Sequence, residues 1–382
     1  MSGSSVNTLP RWADLVLLPA VCLGVALLAA GGVVALVGQS PTEVIAVLVH
    51  GAFGTARGFS YTLYYATTFV FTGLAVAVAF HGGLFNIGGE GQAILGGLGT
   101  GLVALWWSAF LPAWIMLPLM LLAGALFGMA WAAVPAYLQA YRGSHIVITT
   151  IMFNFIGSSL LVYLLVNHLR PAGSMSVESV AFADSAKLPG VHEALALLGV
   201  EWPSSPLNLS VLLAALAAVG VYLFLWRTRA GYRLRAVGSS PGAAEYAGVR
   251  PQRQVMVAMA VSGALAGMVG MNEIAGVNGK LLLEFVSGAG FTGIAVALMG
   301  RNHPVGIVLA SVLFGALFQG GAEVAFEVRG FSRDMVVMLQ GFIVLFSGAM
   351  AYVIAPIVAR LLALVIRVWS KPATSSSGAA HG

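Results

Sequence analysis

Ten apolar runs constrain this chain more than any other feature. They lie near 15–37, 61–80, 89–108, 113–138, 145–166, 208–226, 254–275, 286–300, 304–322 and 335–353. About 20 apolar residues suffice for a helix to cross the hydrocarbon of a bilayer. Only the eighth run is clearly short of that. Charged residues make up 8% of the 382, where a soluble domain carries about 25%. So little charge cannot coat a water-soluble globule, so the solvent is lipid. The expected fold class is all-α: a polytopic transmembrane helical bundle of about ten helices. Residues 1–14 form the N-terminal segment, 15–370 a single transmembrane domain, and 371–382 a small, polar, disordered tail. No small-residue cleavage site follows the first run, which is therefore read as a retained helix.

Basic residues in membrane proteins gather in cytoplasmic loops. With a cytoplasmic N-terminus and ten crossings, Arg11, Arg142, Arg227, Arg229, Arg233, Arg235, Arg250, Arg253, Arg301, Arg360, Arg367 and Lys371 fall inside. Arg57, Arg170, Lys187, Lys280, Arg329 and Arg333 fall outside, a split of 12 against 6 that accounts for all 18 bases. Both termini are then cytoplasmic. The Pro-rich segment 167–208 is extracytoplasmic, and the segment 227–253, with six arginines, is cytoplasmic. Within the latter, Pro241-Gly-Ala-Ala-Glu-Tyr-Ala-Gly248 suits a short helix, with Pro in the first turn and Ala in the interior. This topology explains the pI of about 9.5 without nucleic acid as a partner.

Polar residues inside the apolar runs are the candidates for function. Gly82-Gly-Leu-Phe-Asn-Ile-Gly-Gly-Glu-Gly-Gln92 places Asn86, Glu90 and Gln92 among five glycines. A carboxylate at such depth must face protein or water, and a glycine-rich break exposes peptide groups that can line a cavity. Two readings stand open: a polar hinge beside a solute path, or a tight helix joint with Glu90 satisfied by backbone amides. Asn154, near Thr149, Thr150, Ser158 and Ser159, belongs to a pore-lining stripe or to interhelical glue. Asn272 and Glu273 belong to an outer gate or cap a helix end, and Glu90 is the one carboxylate expected to lie deep. Phe71, Phe85, Phe153, Phe155 and Phe291 can stack on a flat solute or simply pack. Phe71-Thr-Gly-Leu-Ala-Val-Ala-Val78 is echoed by Phe291-Thr-Gly-Ile-Ala-Val-Ala-Leu298. Each copy ends at a helix-breaking patch, His81-Gly82-Gly83 and Asn302-His303-Pro304, a pattern that in transporters points to the translocation pathway. The candidate pathway residues are Asn86, Glu90, Gln92, Phe153, Asn154, Phe291 and Asn302.

Covalent chemistry finds no support. No histidines have metal-ligand spacing, so no metal is expected. There is no G-x-S-x-G elbow, hence no catalytic residue is assigned, and no Walker A motif. Any ATP-driven step must use another polypeptide.

The Gly82–Gln92 stretch resembles the signature of ABC importer permeases for nucleosides and simple sugars, those that work with basic-membrane-protein-type lipoproteins. Arg235-Ala-Val-Gly-Ser-Ser-Pro-Gly-Ala-Ala-Glu-Tyr-Ala-Gly-Val249 and Gly290-Phe-Thr-Gly-Ile-Ala-Val-Ala-Leu-Met-Gly-Arg-Asn-His-Pro-Val-Gly306 extend the likeness, which runs from about residue 60 to 350. The former is similar to the E-A-A-x-x-x-G coupling loop, with Gly242 in the Glu position, then Ala243, Ala244, Glu245 and Gly248, and Arg235 flanking. The resemblance implies a permease subunit in a bacterial inner membrane, paired with a second, homologous permease as a heterodimer. It further implies an ABC ATPase with tandem nucleotide-binding domains, an extracytoplasmic solute-binding lipoprotein, and no cofactor except ATP on the partner ATPase. Permeases for ribose or branched-chain amino acids are the alternatives within the class. An ion-coupled secondary transporter is the rival outside it, needing intramembrane acids but no such loop.

Overall fold

The computed structural model describes residues 17–36, 38–329, 331–348, 353–360 and 362. The N-terminal segment 1–14 and the tail 371–382, with Arg11, Arg367 and Lys371, lie outside the described residues. The chain divides into two compact units, one of residues 1–41 and 337–382, the other of 42–336. In the first unit, α1 (Leu18–Leu36) buries Cys22 against Ile354 and Val358.

The second unit begins with α2 (Pro41–Val49), which widens into a π-helical turn at His50–Gly54. There follow α3 (Ala56–His81), α4 (Gly89–Trp107), α5 (Ala113–Arg142) and α6 (Ile146–Leu164, prolonged by a π-helical turn to Leu169). Next come α7 (Val191–Ala196), α8 (Ser210–Arg227), α9 (Arg229–Ser239), α10 (Pro241–Tyr246) and α11 (Pro251–Gly267), the last followed by a π-helical segment, Met271–Asn278. Then come α12 (Ala289–Met299) and α13 (Pro304–Glu327), while α14 (Arg333–Gly348) passes from this unit into the first. Among the described residues, two isolated bridges are the only β pairing. Over its described residues, each of the ten apolar runs coincides with a helix. Among the described residues, six stretches are long and apolar enough to cross a membrane: α3, α5, α6 with its π turn, α8, α11 with its π segment, and α13. The chain is thus a polytopic helical bundle.

Helix α2 was not expected, because its apolar stretch is too short to stand out as a span. α12 has 11 residues. At 1.5 Å per residue it covers about 16 Å, roughly half of a 30 Å hydrocarbon core.

α3 is the central column, with Phe69, Phe71 and Leu74 fully buried. α5 and α11 approach so closely that a Cβ on Gly263 would lie 2.4 Å from the Gly128 carbonyl oxygen. Small residues permit such backbone contact between helices in lipid. The two echoed segments lie against each other, for a Cβ on Gly293 would meet the Thr72 hydroxyl at 2.5 Å.

The bend after α3, the turn into α9 and the break between α12 and α13 share one end of the unit. There His81 Nε2 lies 3.0 Å from the Asn302 carbonyl oxygen, and Gly83, at φ +74°, backs onto Gly238. At the opposite end, the segment between α6 and α8 folds onto the chain leaving α11. Ser179 N–H donates to Leu281 O at 2.8 Å, Phe182 N–H to Gly279 O at 2.8 Å, and Leu188 N–H to Ala275 O at 2.9 Å.

Candidate translocation and coupling sites

The glycine-rich stretch after α3 re-enters the bundle before α4 begins. Asn86 is buried and organises the turn. Its Nδ2 donates to Gln92 Oε1 at 3.0 Å and Ser262 Oγ at 2.9 Å, while its Oδ1 accepts from Gly88 N–H at 2.9 Å. Ser262 in turn donates to Ala75 O at 2.6 Å, so α3, α4 and α11 meet at one polar knot. Asn154 fastens α6 to the same turn: its Nδ2 donates to Ile87 O at 3.0 Å and its Oδ1 accepts from Gly91 N–H at 2.8 Å. Phe153 is half-buried, its ring 5.2 Å from that of Trp131, whose Nε1–H donates to Phe153 O at 3.1 Å.

Glu90, in the first turn of α4, points at the start of α12. Gly288 N–H donates to its Oε1 at 2.9 Å and Gly290 N–H to its Oε2 at 2.8 Å. A carboxylate at a helix N-terminus satisfies orphan amides and meets the positive end of the helix dipole. Gly290 must be glycine for this, since a Cβ there would lie 2.2 Å from Glu90 N. The next residue, Phe291, is 48% exposed on the unit. Asn302 sits at the far end of α12 with φ +54°, its side chain buried and its Oδ1 without a hydrogen-bond partner. Asn86, Gln92, Glu90 and Asn154 are thus brought together, whereas Asn302 lies at the end of the unit, beside His81.

The arginine-rich segment is two helices at a corner. Thr228 caps α9 by accepting from Gly231 N–H at 3.0 Å, and Ser240 caps α10 by accepting from Ala243 N–H at 3.4 Å. Such side-chain acceptors stabilise helix starts. Arg235 turns inward: its Nε–H donates to Leu225 O at 3.1 Å, and its guanidinium lies 5.8 Å from the Trp226 ring centre. Trp226 touches His81 and His303, with ring centres 5.3 Å and 5.0 Å apart. Within α10 Ala244 is buried, whereas Gly242, Ala243 and Glu245 are exposed, as is Gly248 beyond it, and Tyr246 is 97% exposed. The face of α10 open to another protein is therefore Gly242, Ala243, Glu245 and Tyr246.

A second deep carboxylate corrects the expectation that Glu90 stands alone. Glu273, in the π-helical segment, is 7% exposed. Its Oε1 accepts from Thr68 Oγ1–H at 2.6 Å and Asn272 Nδ2–H at 3.3 Å, and its Oε2 from the Tyr64 hydroxyl. Asn272 continues the network: its Nδ2 donates to Thr68 Oγ1 at 2.7 Å, and its Oδ1 accepts from Ser210 Oγ at 2.6 Å and Asn208 Nδ2 at 3.0 Å. Tyr64 and Thr68, one turn apart on an apolar helix, were the available signal. Their partners lie more than 200 positions away.

Residues 58–348 match the family model for the branched-chain amino acid transport system permease component. The glucose ABC transporter permease protein TsgB13 of Haloferax volcanii is 36% identical over 89% of this chain and 88% of its own. The guanosine ABC transporter permease protein NupP of Bacillus subtilis is 36% identical over 91% and 96%. The nucleoside ABC transporter permease protein NupB of Lactococcus lactis is 31% identical over 87% and 90%. Each of the last two organisms carries a second similar permease protein, NupQ and NupC, at 26% and 28% identity.

Proposed function

The chain belongs to the family of branched-chain amino acid transport system permease components, and we propose that it carries nucleosides or simple sugars through a bacterial cytoplasmic membrane. Glucose and guanosine, the solutes named for two relatives, share a pair of vicinal hydroxyls, and that is the solute chemistry assigned here. The permease works with a second, homologous permease as a heterodimer, in keeping with the paired permeases of the two bacteria. A separate ABC ATPase with tandem nucleotide-binding domains drives the cycle, and an extracytoplasmic lipoprotein delivers the solute. Both termini and the 227–253 segment face the cytosol. Asn86, Glu90, Gln92, Phe153, Asn154, Phe291 and Asn302 are assigned to the solute path or its immediate supports.

The observation that carries the ATP-coupled reading is α10. Its one buried side chain is Ala244, so a small helix lies at the end of the unit with its other side chains turned away from it. Arg235 and Trp226 tie its neighbour α9 to His81 and His303, giving pressure on α10 a rigid route to the ends of α3 and α13. In the intact importer, Tyr246→Ala and Gly242→Arg should each cut uptake and solute-stimulated ATP hydrolysis by about tenfold, the effect of losing one interface anchor of about 1.4 kcal/mol. Membrane level and thermal stability should stay unchanged. Normal coupled uptake by both variants would remove the docking assignment. Labelling of Ser240→Cys by an impermeant reagent outside intact cells would remove the orientation.

A further inference from the structure

The carboxylate of Glu273 has a use that the fold alone does not explain. Tyr64 lies eight residues inside the start of α3, about 12 Å along the helix axis. The node is therefore inside the bundle and not at its rim. One chain of side-chain bonds there leads to the carboxylate, each donor aimed toward it. Ser210 and Asn208 donate to Asn272, Asn272 donates to Thr68, and Thr68 and Tyr64 donate to Glu273. The carboxylate only accepts, and among the described residues no Lys, Arg or His forms a salt bridge with it. A joint that served packing alone would be cheaper with an amide, because a buried charge loses its hydration. Membrane-embedded ionisable groups held at such cost mark transport paths. The backbone beneath Glu273 is π-helical, a distortion that recurs at functional sites.

The donor pattern specifies the ligand. One hydroxyl sits on each carboxylate oxygen, Thr68 on Oε1 and Tyr64 on Oε2. Two hydroxyls on adjacent carbons present the same pair of donors from a single molecule. We propose that Glu273 is the diol acceptor of the solute path: Tyr64 and Thr68 hold its two oxygens in the closed conformation, and the vicinal hydroxyls of the solute replace them when α3 and the 271–278 segment part. Asn272 then keeps the carboxylate oriented. This proposal rests on the solute class given above and assigns a residue to its recognition.

The test uses the complete importer in proteoliposomes, with its own binding protein held constant. Uptake of uridine is compared with that of 2′,3′-dideoxyuridine, and glucose with 2,3-dideoxyglucose, each analogue lacking vicinal hydroxyls, as ratios of kcat/KM. For the pair the importer carries, the wild type should favour the intact solute by about tenfold, a typical value for hydrogen bonds to a charged group. Glu273→Gln should bring that ratio within about twofold of one, mainly by lowering uptake of the intact solute. Tyr64→Phe, which removes a competing donor, should leave the ratio at or above the wild-type value. An unchanged ratio in Glu273→Gln overturns the diol assignment and leaves the solute class standing. Should Glu273→Gln fail to assemble, Glu273→Asp withdraws the carboxylate by one methylene. It should lower the ratio at least threefold, and an unchanged ratio again overturns the assignment. Absence of uptake of either pair by the wild-type importer overturns the solute class and this proposal together.

Discussion

Two carboxylates within the bundle, half-buried Glu90 and buried Glu273, solve the same problem in opposite ways. Glu90 is held by the backbone amides of Gly288 and Gly290. Those donors cannot leave without unwinding the start of α12. Glu273 is held by the side chains of Tyr64, Thr68 and Asn272, and hydroxyl donors of that kind can be exchanged by turning a side chain or sliding a helix. The first carboxylate is therefore a fixed part of the scaffold, and the second is the one fit to change partners during a cycle.

Substitutions can break this contrast, and the largest effect is expected at Glu90. Glu90→Leu leaves two amides unsatisfied in an apolar setting, which costs about 3 kcal/mol. Thermal unfolding of the purified protein in detergent should show a correspondingly lowered midpoint, and an unchanged midpoint would mean that water replaces the carboxylate. Glu90→Gln keeps one acceptor and should cost about half as much. Glu273→Gln should cost no more than about 1 kcal/mol, since the Tyr64 and Thr68 hydroxyls can rotate to meet an amide. If it destabilises as strongly as Glu90→Leu, the exchangeable character of the Glu273 node is wrong. In the segment between α6 and α8, Lys187 lies 2.8 Å from Asp184 and holds its carboxyl below the usual carboxylate range. A lowered folded value stabilises above the ordinary range, and the contribution is lost as pH falls through the folded value. Both groups are exposed, so Asp184→Asn should shift the midpoint at neutral pH least of all.

Much of this molecule could be read from residue patterns because lipid imposes a simple rule. A spanning helix must be apolar for about 20 residues, so all ten runs coincide with helices over their described residues, and the glycine-rich break between α3 and α4, at 82–88, is non-helical. Helix α2 escaped because 41–54 is apolar but too short for that rule. Arg235 was expected to flank the coupling loop, and its guanidinium also lies against the Trp226 ring. Sequence spacing does not show which way a side chain turns on an amphipathic helix of about three turns. The Glu273 node was hidden for a different reason. It joins α3, the entry to α8 and the chain beyond α11, and only folding makes them neighbours. The polar residues were visible singly, and their one-way chain of donors was not.

The hydrogen bonds from Ser179, Phe182 and Leu188 to Leu281, Gly279 and Ala275 carry a mechanical consequence. They splice the surface loop onto the strip of backbone that begins at Glu273. A tug on that loop travels two to eight residues before reaching the buried acid. The loop is thus a lever whose short arm ends at Glu273.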